Sequence, residues 1–162
     1  MKKKKPGFTL LELIIAMMIT IVVLGIAGSM FTTGSKVFND SDVKSTLQIE
    51  GQEIQEKISD IGMQGIEVVS VNDEELIIKS YVKEDDVVRY FKIQKENENL
   101  NIYKNIEQSF TNDKNISSYA NIKSLKITST NSDKSIDFNI VLTKKNVDHT
   151  IAFTINLRNK GN

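Results

Sequence analysis

The sequence has 162 residues, no cysteine, 26% charged and 40% hydrophobic side chains. These values fit one folded domain with an appendage, and exclude a disordered chain, a collagen-like chain, a multi-span membrane protein and any disulfide or thiolate chemistry. The 21 basic and 21 acidic residues balance only on average: Lys2, Lys3, Lys4 and Lys5 stand together, and from Lys36 onward 17 basic residues face 20 acidic ones, a net of −3. That portion offers no basic footprint to nucleic acid or anionic lipid, so no nucleic-acid partner is expected.

After the lysines and Pro6-Gly7-Phe8 an apolar stretch opens, and Leu13 to Ser35 holds 23 consecutive residues without a charge. As a helix this measures about 34 Å, enough to cross a hydrocarbon core of about 30 Å. Four lysines at its start place that end in the cytoplasm by the positive-inside tendency, and everything after Ser35 outside it. The competing reading is a cleaved secretory signal ending at Ala27, Gly28 and Ser29. Such signals carry a shorter apolar core of about 7–15 residues, so a retained span is expected.

Glu12 interrupts this pattern. An acidic group at the centre of a membrane helix costs about 2.5–3.5 kcal/mol and less toward the interface, so the carboxylate calls for snorkelling, protonation or a partner. The run GFTLLELIIA, from Gly7 to Ala16, supplies a context. A short basic leader ending in Gly7, then Phe8, Thr9, Leu10, Leu11 and Glu12, then an unbroken apolar helix, resembles the class III leader of type IV prepilins and pseudopilins. The resemblance implies that a prepilin peptidase cuts between Gly7 and Phe8 and methylates the new Phe8 amine. It also implies that Glu12 sets register by pairing with that amine on a neighbouring subunit. One helical turn separates positions 8 and 12, so the two charges also suit each other physically. Outside this motif Gly7 reads as a linker. The chain departs from the family in lacking a proline three turns into the helix, since Pro6 is its only proline; Gly25 and Gly28 occupy that neighbourhood and serve either local melting or close helix packing.

Past the apolar stretch, Val43, Leu47, Ile54, Ile58 and Ile61 fall within about 60° of arc at helical spacing, the mark of an amphipathic helix with a narrow packing stripe. Gly62 and Gly65 are placed to end it, and a single helix from Phe8 to Ile61 would measure about 80 Å. The remaining residues lose the helical period. Strands are expected at 68–71, 76–82, 87–95, 100–106, 122–128, 136–143 and 149–157, with the alternation of Ile136, Phe138, Ile140, Leu142 and then Ile151, Phe153, Ile155, Leu157 marking a closing hairpin. Short polar connectors favour an antiparallel meander. The expected fold is α+β: a long N-terminal helix, its first half membrane-embedded and its second half packed on an antiparallel sheet. The expected segments are a leader at 1–7, a transmembrane or filament-core helix at 8–35, its amphipathic continuation at 36–66 and a β-sheet domain at 67–162. This is the pilin-like architecture; the Gln/Glu-rich helix and the closing strand resemble W-type minor pilins and J-type pseudopilins.

Catalytic groups are scarce. His149 is the sole histidine, in phase with Ile151 and Phe153, and reads as a half-buried residue near a strand start. The pairs Asp40/Asp42 and Asp85/Asp86 fit no calcium loop spacing and read as solvated turns. No enzyme activity, metal or cofactor is expected. The expected function is that of a structural subunit, a minor pilin or pseudopilin of a type IV pilus or a related type II secretion or competence filament. Its expected partners are prepilin peptidase, other pilin subunits, the pilus assembly machinery and, before assembly, the cell membrane as a single-pass protein. The alternative is a membrane-tethered extracytoplasmic adhesin that never polymerises.

Overall fold

A computed structural model describes residues 7, 9–82, 87–108, 110, 114–130 and 134–157. One helix, α1 (Leu10–Met63), is followed by eight strands: β1 (Gly65–Asn72), β2 (Glu75–Val82), β3 (Val87–Glu96), β4 (Asn99–Asn105), β5 (Lys114–Tyr119), β6 (Ile122–Thr130), β7 (Ser135–Lys144) and β8 (Val147–Asn156). The architecture is α+β, with a long apolar N-terminal helix followed by antiparallel sheets. Two compact units divide within α1, one covering Met1–Asp42 and the other Val43–Asn162.

In the first unit the helix runs without a break through Gly25, Gly28 and Gly34, and a Cβ added at any of the three would meet nothing within 4 Å. Three of its hydroxyls are satisfied locally. Thr20 Oγ1 donates to the Ala16 carbonyl at 2.8 Å, Ser29 Oγ to Ile26 at 2.8 Å and Thr32 Oγ1 to Ser29 at 2.9 Å. Hydroxyls that return their protons to the preceding turn add no unmet donor to an apolar surround.

The second unit is built around the continuation of α1. Val43, Leu47, Gly51, Ile54, Ile58 and Ile61 are buried at steps of four, four, three, four and three residues, with Gly62 beside Ile61, and draw one stripe along the helix. The stripe closes over two sheets: a five-stranded meander in the order β1-β2-β3-β4-β5 and a three-stranded meander β6-β7-β8, every pairing antiparallel. The sheets are joined through backbone, since Ile127 N–H of β6 donates to the Asp73 carbonyl in the β1–β2 turn at 2.9 Å and Ile122 N–H donates to Glu98 at 2.9 Å. The core beneath the helix combines Leu76, Ile78, Ile93, Ile102, Ile136, Phe138 and Ile140 with the helical stripe. At about 1.5–3 kcal/mol for each fully buried large side chain, this burial is the main term favouring the fold.

Two sequence expectations are refined. Gly62 sits inside the helix, where an added Cβ would lie 2.7 Å from Ile155 Cδ1, and no described glycine has positive φ. The glycine therefore serves close approach of helix to β8, and α1 ends at Met63 without a left-handed glycine cap. Strand β5 falls where no strand was expected. Its ladder with β4 is shifted between Ile102 and Tyr103, so the side-chain alternation that would mark it in sequence is broken. The expected hairpin is β7–β8, its two-residue turn made by Lys145 (φ 49) and Asn146 (φ 64), both in the left-handed conformation a primed turn demands.

Candidate processing and assembly site

The start of α1 is fixed by Thr9. Its carbonyl accepts from Glu12 N–H at 3.1 Å and from Leu13 N–H at 3.2 Å, while its hydroxyl oxygen accepts from Glu12 N–H at 3.3 Å. Thr9 is thus the N-cap and Glu12 the third helical residue, the T-x-x-E spacing of a capping box. Position 12 lies in the first turn, where the positive end of the helix dipole favours a carboxylate. Two physical roles therefore meet in one residue: local completion of the helix start, and a negative charge carried at the head of an apolar segment. In the sequence Thr9 figures only within the leader motif and not as a cap; the signal for the cap is the Thr three residues before Glu ahead of an apolar run.

Gly7 is exposed, precedes the helix and has open space where a Cβ would go, so packing sets no requirement for glycine there. Phe8 and Lys2 to Lys5, expected to carry the processed amine and the leader charge, lie outside the described residues. Among the described residues no ion pair engages the Glu12 carboxylate, which is exposed on the helix surface.

Behind Glu12 the helix presents an apolar surface all round. An 18-residue window reaches a mean hydropathy of 2.7 with 0% of it buried in the fold, and Leu11, Met18, Leu24, Met30 and Phe31 are each more than 60% exposed. A surface of this size and character is covered by lipid or by other apolar helices. Phe38 is 79% exposed and continues the apolar surface past Lys36.

His149 is half-buried on the helix-facing side of β8, where a Cβ at Gly51 would lie 3.6 Å from its Cδ2. Asp40 and Asp42 lie on α1, and Asp85 and Asp86 are outside the described residues. Among the described residues no group of three His, Asp or Glu is disposed to hold a metal ion.

A family model described as the prokaryotic N-terminal methylation motif matches residues 2–28, spanning the lysines, Gly7, Phe8, Glu12 and most of the apolar run. No curated protein and no solved structure matches the chain.

Proposed function

We propose that this chain, a type IV pilin-like precursor by its methylation motif, is a low-copy filament subunit, a minor pilin or pseudopilin of a pilus, type II secretion or competence filament. The motif supports processing by prepilin peptidase, and the apolar helix supports membrane anchoring before assembly. One observation carries the reading: an apolar stretch of α1 with no buried residue, headed by a single carboxylate and preceded by a glycine that packing does not require. Cleavage after Gly7 releases the lysines and exposes an amine at Phe8, one turn from Glu12. In a filament the apolar helices pack side by side, and the Glu12 carboxylate of one copy neutralises the Phe8 amine of the next. A buried charge left unpaired costs several kcal/mol, so misregistered copies are rejected. The Val43–Asn162 unit lies outside the cytoplasm, and its loops meet neighbouring subunits or external ligands. The role is structural rather than enzymatic, in keeping with a single histidine and no cysteine.

The T-x-x-E spacing and the first-turn position give the anchor reading a specific basis, because a carboxylate there complements the helix dipole without any neighbour. Intact-mass and N-terminal analysis of material from the native host separates the two. Filament function gives a chain starting at N-methylated Phe8; a chain that keeps Lys2 to Lys5 is a tethered domain and ends the filament reading.

A further inference from the structure

Among the described residues the outer edge of β8 has no strand beside it, and we infer that it docks a second copy of this chain, β8 against β8, antiparallel about a two-fold axis. The other outer strands are blunted. β1 carries two register shifts in its ladder, β5 is only 6 residues long and is shifted against β4, and β6 is shifted between Ile122 and Ser124 and occupied at Ile127 by the Asp73 carbonyl. β8 runs 10 residues against β7 with no shift, holds no proline and no lysine, and has Asp148 as its only acidic or basic residue apart from His149. Natural sheets protect their edges with bulges, short strands, proline and charges, above all lysine; β8 holds only Asp148 and His149 of these, both near its start, and the rest of the strand is left open to pairing.

The register fixes which groups are offered. Leu157 N–H donates to the Lys134 carbonyl at 2.9 Å, next to the Asn156–Ser135 pair, so the odd-numbered residues of β8 bond to β7. The N–H and C=O groups of Asp148, Thr150, Ala152, Thr154 and Asn156 therefore point away from the sheet, and none has a backbone partner among the described residues.

Centring a two-fold on Ala152 satisfies all five residues at once, in five narrow pairs that give about ten backbone hydrogen bonds. Ala152 then faces Ala152 of the copy, Thr150 faces Thr154, and Asp148 faces Asn156, so no like charges meet. On the helix-facing side Ile151 comes opposite Phe153. Both are only half-buried in one copy, although they pack against the core. The pairing covers them, and it joins two three-stranded sheets into one of six strands. Because Gly51 lies against Ile151 and Gly62 against Ile155, this stretch of α1 runs in the same sense as β8. The two-fold reverses it, so the pair links copies of opposite sense rather than successive copies within one filament. The contact is independent of the Gly7–Phe8 and Glu12 chemistry.

The chain has no cysteine, so single substitutions report the register directly. The full-length protein in detergent is tested with Ala152→Cys under mild oxidation. Facing Cα atoms of a narrow pair lie about 5.5 Å apart, inside the disulfide range. Ala152→Cys is expected to give a covalent dimer at least about tenfold faster than Lys114→Cys on the β5 edge, as held groups react faster than colliding ones. Thr150→Cys and Thr154→Cys are expected to crosslink when mixed, and neither with itself. The pairing is overturned if Ala152→Cys stays monomeric, if Lys114→Cys reacts as fast, or if Thr150→Cys couples to itself as readily as to Thr154→Cys. Adding Glu12→Ala is expected to leave the Ala152→Cys dimer unchanged; loss of the dimer there assigns it to the apolar helices and also overturns the pairing.

Discussion

The buried hydroxyl of Ser80 donates a 3.2 Å hydrogen bond to the carbonyl of Ile61. The last turns of a helix leave carbonyls without partners, and one enclosed in a core must be met by something other than water. β2 supplies that partner. Ser80→Ala is expected to destabilise the fold by about 1–2 kcal/mol, because the carbonyl stays buried while its donor is lost. Denaturant unfolding of the detergent-solubilised chain measures this; an unchanged midpoint would show that the carbonyl finds another donor.

Two glycines of the same helix are expected to respond with opposite signs. At Gly62 a Cβ would lie 2.7 Å from Ile155 Cδ1, so Gly62→Ala is expected to lose about 1–3 kcal/mol through overpacking, outweighing its gain in helical propensity. Gly25 has no atom within 4 Å of an added Cβ, and Gly25→Ala is expected to raise helicity without strain. Circular dichroism with thermal unfolding compares the pair.

The stacked rings of Phe138 and Phe153, with centroids 5.1 Å apart, are unequal partners. Phe138 is 1% exposed whereas Phe153 is half-buried beside the sheet edge. Phe138→Ala is expected to cost about 3–5 kcal/mol. Phe153→Ala is expected to cost clearly less, since part of the space it vacates opens to solvent. Urea midpoints of the two variants check the order.

Acid is expected to weaken the β6–β8 sheet through two carboxylates. The hydroxyls of Thr154 and Thr130 hold Asp137 below the usual carboxylate range. Asp148 is lowered by its hydrogen bond from Lys123, then by Thr143. A carboxyl group whose folded pKa is depressed contributes stability that is fully present above its unfolded value of about 3.9 and is lost as pH falls through the folded value. Asp137→Asn with Asp148→Asn is therefore expected to flatten the loss of Tm below about pH 4. A curve as steep as that of the parent chain would assign acid sensitivity elsewhere.

Two roles of Glu12 separate by substitution. Glu12→Gln keeps the capping-box shape and removes the charge. If the charge sets register, the glutamine variant is expected to insert in the membrane, be processed, and enter filaments as poorly as Glu12→Ala. Wild-type assembly of Glu12→Gln alongside a defect in Glu12→Ala and Thr9→Val would reduce the carboxylate to a helix cap.

Much of this structure is legible in the sequence because its cues are local. The alternation of Ile136, Phe138, Ile140, Leu142 and of Ile151, Phe153, Ile155, Leu157 marks β7 and β8, and the spacing of Val43, Leu47, Ile54, Ile58 and Ile61 gives the buried stripe of α1. The basic leader, Gly7, Phe8 and Glu12 are likewise read from order alone. What the sequence hides is long-range. β5 has Ile116 and Tyr119 packed on the core but a ladder shifted at Ile102/Tyr103, so its pattern emerges only beside β4. The division into two sheets depends on which turn meets which strand, as Asp73 meets Ile127, and no periodicity records that. Gly62 reads as a stop signal until Ile155 is seen next to it.

The bond from Ile127 N–H to the Asp73 carbonyl ties the earliest hairpin of the domain to a strand more than fifty residues further along the chain. A ribosome-bound chain can therefore form the β1–β5 meander and still lack the stitch that holds it to the rest. Once the stitch is made, losing either sheet strips the other of a backbone partner.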